Sequence, residues 1–140
     1  MTPLEAMQAT LAGEHAAFYV YGVLGGQVSR SAQPTLADLI GSSYAVHRQR
    51  RDRLTALIDA DGATPVASAP SYQLPNPAAT ARQLRTAGRI VETRCLALYG
   101  QLVENSSGAV RAWAITTLDT AAVQELGYGA TPVDLPGSAG

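Results

Sequence analysis

The chain has 140 residues, 46% of them hydrophobic and 15% charged, which is enough apolar material to bury a core at the usual size of one domain. A net charge of -1 and a pI near 6.1 supply no positive field to displace counterions from phosphates, so nucleic acid is not the default partner. Cys95 is the single cysteine, which excludes an intramolecular disulfide; between Arg94 and Leu96 in an apolar helical run it reads as a small core residue.

The first segment, about residues 3–27, places Leu4, Met7, Leu11, Glu14, Phe18 and Tyr21 at spacings of three and four, the pattern of an amphipathic helix, with Pro3 allowed in its first turn. No basic segment precedes it, the first arginine being Arg30, and no apolar run approaches the roughly 18 residues that span a bilayer. The expectation is a cytoplasmic product without a membrane span. Gly25 and Gly26 weaken the helix end, and Pro34 opens a second helix whose stripe of Leu36, Ile40, Ser43, His47, Arg50, Leu54 and Leu57 runs to Gly62. Together these two form a helical hairpin.

Residues 62–77 contain Pro65, Pro70, Pro75 and Pro77, which exclude a regular helix and predict an ordered crossover with Tyr72 and Leu74 docked on the bundle. A third helix is expected over about 78–105, with Leu84, Gly88, Glu92, Cys95, Tyr99 and Leu102 on one face. The fourth, about 109–126, is apolar nearly all round (Val110, Trp113, Ile115, Leu118, Val123, Leu126), which predicts a central helix or a homodimer contact. Residues 129–140 form a tail, and Gly129-Ala130-Thr131-Pro132-Val133 repeats Gly62-Ala63-Thr64-Pro65-Val66 after the second hairpin. Loops in the order short, long, short define one domain over 1–140: an all-α, antiparallel four-helix bundle of ferritin-like form with one long crossover between helices 2 and 3.

Glu14, His47 and Glu92 sit on stripes that should be apolar, where an isolated carboxylate costs several kcal/mol, on the order of 3–5, unless it is paired or metal-bound. Counted from their turns, the three lie at one height in the bundle. A buried hydrogen-bonded network of these groups with Tyr44 or Arg50 is the bland reading, and metal ligation by Glu14, His47 and Glu92 is the sharp one. His15 points about 100° away from Glu14 and reads as a surface or interface residue. Arg48, Arg50, Arg51 and Arg53 read as a solvated face, with an RNA site as the alternative. Tyr19, Tyr21 and Trp113 read as core or dimer contacts.

The runs Glu14-His15-Ala16-Ala17 with Tyr19, Tyr21 and Gly22, His47 through Leu54, Pro70-Ser71-Tyr72-Gln73-Leu74-Pro75 and Thr131 through Gly137 resemble an uncharacterised ferritin-like family, domain of unknown function 4439. The resemblance implies a ferritin-like fold and supplies no reaction. The wider di-iron pattern of that fold is Glu, Glu-x-x-His, Glu, Glu-x-x-His. Here Tyr44 stands three before His47 and no histidine follows it, so the pattern is incomplete. Asp119 is a further candidate ligand, which the alignment of the two pentapeptides denies by pairing it with Asp52. The leading expectation is a non-catalytic, homodimeric protein without a cofactor and with a vestigial di-iron site; the alternative is an iron- or manganese-binding oxidoreductase or metal carrier. An RNA-associated accessory role through the arginines is a third reading.

Overall fold

The computed structural model describes residues 1–132, 134, 136 and 137. Four helices carry the fold: α1 (Pro3–Gln27), α2 (Pro34–Ala60), α3 (Ala81–Asn105) and α4 (Gly108–Gly127). Thr2 starts α1 with a capping box, its hydroxyl accepting from the Glu5 amide while the Glu5 carboxylate accepts from the Thr2 amide. The same device at Thr80 and Gln83 starts α3 at Ala81, three residues later than the spacing alone predicts, because the box fixes Thr80 in extended backbone. Gly62 ends the first hairpin with φ +78°, a conformation open to glycine at little cost.

Contacts set the directions. Phe18 stacks on Tyr44 while Gly25 lies beside Ile40, so α2 runs antiparallel to α1. Tyr21 meets Glu92 while Glu14 meets Tyr99, which makes α3 antiparallel to α1 and parallel to α2. Thr93 meets Glu125 while Tyr99 meets Trp113, returning α4 along α3. The long connection over residues 61–80 makes the parallel step between α2 and α3. It is tied down rather than loose: Gln8 holds Thr64 and Val66 through its side-chain amide, Tyr72 tilts against Tyr19, and Leu74 packs on the core. His15 also serves the crossover, its Nε2 lying 2.9 Å from the Val66 carbonyl oxygen.

The core divides into two apolar clusters. One holds Leu24, Leu36, Ile40 and Leu84, the other Leu11, Leu54, Ile58 and Leu102. Between them lies a layer of buried polar groups. Of the two expectations for α4, the central place is not found: its buried residues are Ala114, Thr117 and Ala121, while Ile115, Val123 and Leu126 are exposed. It packs along α3 and meets α2 over a short stretch only, so it is a flank of the bundle and not its centre. Among the described residues no helix is long and apolar enough to cross a membrane.

Tyr128, just past α4, drives its ring back into the core, where its hydroxyl lies 2.7 Å from the Ser43 hydroxyl. Gly88 makes room for it. A Cβ there would sit 2.5 Å from two carbons of the Tyr128 ring. Gly88→Ala is expected to displace the ring and destabilise the fold by about 1–3 kcal/mol, read by thermal unfolding. An unchanged melting temperature would show that this contact does not constrain the ring.

Candidate functional site: a carboxylate–imidazole–carboxylate centre

The polar layer is built on one motif used twice. Glu14 and Tyr21 are seven residues apart on α1, and Glu92 and Tyr99 seven apart on α3, so in each helix the pair shares a face two turns apart. Because the helices are antiparallel, each tyrosine reaches the other helix's glutamate. Tyr21 donates to Glu92 Oε1 at 2.6 Å, and Tyr99 donates to Glu14 Oε1 at 2.7 Å. His47 of α2 bridges the two carboxylates: Nδ1 lies 2.5 Å from Glu14 Oε2, and Nε2 2.8 Å from Glu92 Oε1. The Tyr21 ring stacks on the imidazole with centroids 5.2 Å apart. All five side chains are fully buried.

Carboxylates accept and do not donate, so each contact with His47 needs an N–H, and an imidazole with both is the imidazolium. The electrostatics agree. Burial alone would lower the His47 pKa, but the Glu14 carboxylate and the hydrogen bonds His47 makes with Cys95 and both acids outweigh it and hold it well above its ordinary value. Burial, with the nearby carboxylates, drives the Tyr21 and Tyr99 hydroxyls far up, so both remain donors. Burial likewise pushes the Cys95 thiol up to about 11, despite its nearness to His47.

Arg50 is the second buried cation, 6% exposed, one turn from His47. Its guanidinium lies over the Tyr99 ring, 5.7 Å from the centroid, and neither terminal nitrogen has an acceptor among the described residues. The buried charges therefore balance, with Glu14 and Glu92 against His47 and Arg50.

Glu14, His47 and Glu92 thus come together. Arg50 is buried beside them but makes no hydrogen bond to them. Tyr44 does not join: its ring is drawn to the α1–α2 surface by stacking on Phe18 at 4.4 Å. Asp119 is exposed on α4 and cannot reach the centre. Tyr21, expected as a core or dimer contact, and Tyr99, expected on the apolar face of α3, are the donors to the two acids. The repeated seven-residue spacing from a glutamate is the signal that finds both.

A di-iron group does not fit these residues. Two irons held in the ferritin-like way need four carboxylates and two imidazoles. α2 offers one imidazole, and the inward residues of α4, Ala114, Thr117 and Ala121, offer no ligand. A smaller donor set exists: a carboxylate oxygen of Glu14, a ring nitrogen of His47 and the Cys95 sulfur lie within 4.8 Å of one another.

The sequence profile described as "Domain of unknown function (DUF4439)" matches residues 6–140. The crystal structure of a conserved hypothetical protein, rv2844, from Mycobacterium tuberculosis is similar at a TM-score of 0.82 and 28% identity, over 90% of this chain and 93% of that one. A structure of ferritin like, diiron-carboxylate proteins from Bacillus anthracis str. Ames is similar at 0.70 and 19% identity, over 89% and 87%, a likeness of fold. No curated protein matches the chain.

Proposed function

We propose, for a chain that belongs to the family of domain of unknown function 4439, a role without iron–oxygen chemistry: a non-catalytic ferritin-like bundle that acts by association, its di-iron site vestigial. The observation that carries this reading is His47 with both ring nitrogens against carboxylates. In that state neither nitrogen keeps a lone pair for a metal, and each acid has one oxygen held by an imidazole N–H where a di-iron protein would use cations. Ile115, Val123 and Leu126, exposed on α4, supply the apolar contact of a homodimer.

One observation favours a second reading. Glu92 Oε2 is buried without a partner among the described residues, close to the Glu14–His47–Cys95 donor set. One divalent ion replacing the imidazolium proton and the thiol proton would leave the buried charge unchanged. A thiolate among the ligands favours zinc over the iron or manganese expected from the di-iron pattern.

Elemental analysis of protein purified without chelator separates the readings, and light scattering at micromolar concentration tests the association. The expected result is a dimer with far less than one metal ion per chain. Two irons per chain would overturn the vestigial site, one zinc per chain would establish the second reading, and a monomer would remove the α4 contact.

A further inference from the structure

Beyond where Ser43 meets Gln124, α2 and α4 part and leave a cleft of about 400 Å³, separate from the carboxylate centre. Val46, Gln49, Arg50 and Arg53 line its α2 side, and Trp113 with three threonines lines its α4 side. The two sides differ in chemistry. Thr116, Thr117 and Thr120 each donate their hydroxyl hydrogen to a carbonyl one turn back, at 3.2, 2.8 and 3.0 Å, so α4 presents methyl groups and an indole. The cationic donors of the lining come from α2, and α4 adds the Trp113 indole N–H. Among the described residues no carboxylate lines the cleft and Arg53 forms no ion pair.

Arg50 belongs to both the cleft and the core. Its two terminal nitrogens are buried with no acceptor among the described residues, and the face of Tyr99 is a weaker partner for a desolvated guanidinium than an oxygen would be. Arginine's planar fork matches a carboxylate in bidentate fashion.

We propose that the α2–α4 cleft binds a small organic carboxylate with an apolar body. The guanidinium of Arg50 turns from the Tyr99 ring to the cleft and donates both terminal N–H groups to the carboxylate, and the body lies against Trp113 and the threonine methyls. The carboxylate gives the Arg50 terminal nitrogens the acceptors they lack among the described residues, and the volume falls within the about 300–1,000 Å³ of small-molecule sites. An inorganic phosphate would leave the Trp113 ring and the threonine methyls uncovered, which favours a carboxylate with an apolar body.

Trp113 is the only tryptophan and reports on the cleft directly. Full-length protein is titrated with octanoate, octanamide and inorganic phosphate, following Trp113 fluorescence with calorimetry as a second readout. Octanoate is expected to saturate one site per chain, with octanamide about ten- to a hundredfold weaker, since hydrogen bonds to charged groups carry that difference. Arg50→Met is expected to weaken octanoate by a similar factor. Because that change touches the core, Thr116→Phe gives an independent test: from an exposed position it narrows the cleft and is expected to abolish octanoate binding while the circular dichroism stays native. Failure of octanoate to saturate, equal binding of octanamide, phosphate displacing octanoate at equal concentration, or undiminished binding in folded Arg50→Met or Thr116→Phe would each overturn the proposal.

Discussion

His47→Ala is expected to lower the unfolding free energy by about 3–5 kcal/mol in urea denaturation at pH 6, where the imidazolium is fully present. The loss comes from what is left behind. Glu14 and Glu92 would stay buried and lose the cation that bridges them, keeping only the Tyr99 and Tyr21 donors. One acid must then take up a proton, or the cavity must admit water, and both are costly in a layer sealed above and below by apolar clusters. Domains of this size are stable by about 5–15 kcal/mol, so the variant is expected near the edge of folding. His15→Ala removes one exposed hydrogen bond to the Val66 carbonyl and should cost about 1 kcal/mol or less. A His47→Ala cost no greater than that of His15→Ala would mean that the carboxylates do not depend on the imidazole.

The second expectation is a stability that falls as pH rises through neutrality. In the unfolded chain His47 titrates near about 6.5, and in the fold its pKa is held well above that. A raised folded pKa contributes stability that is complete below the unfolded value and lost as pH climbs toward the folded one. The slope is about 1.4 kcal/mol per pH unit where the folded imidazole is charged and the unfolded one neutral. Unfolding free energies between about pH 6.5 and 8.5 should therefore decline in the native protein and stay nearly flat in His47→Gln. The window stops there because Cys95, pushed up to about 11, and the buried tyrosines add slopes of the same sign at higher pH. A flat native profile, or an equal slope in His47→Gln, would show that His47 is not the imidazolium.

Much of the architecture is legible in the order of the residues. Glu14 and His47 stand about equally far from the α1–α2 turn, and in an antiparallel hairpin that arithmetic puts them face to face, where they lie. The late start of α3 is a local matter, since the Thr80–Gln83 box was written in the sequence and outweighed by the run of apolar spacing. Tyr21 and Tyr99 were equally readable. Each lies two turns from a glutamate on the same face, and reciprocal pairing follows once the helices are taken as antiparallel.

Tyr44, Arg50 and α4 were not readable in that way. Tyr44 and Arg50 flank His47 at three residues on either side, and helical period allows each to lean toward the centre or away. Phe18 on the neighbouring helix draws Tyr44 outward, and the Tyr99 ring on a third helix takes Arg50 inward. The apolar composition of α4 likewise says nothing about how many neighbours it has. Helical period, caps and prolines act within one element and pass directly from residue order to local structure. Which half-polar side chains become buried, and where a cleft opens beside them, depends on the faces that neighbouring helices present, and that was decided only when the four helices packed.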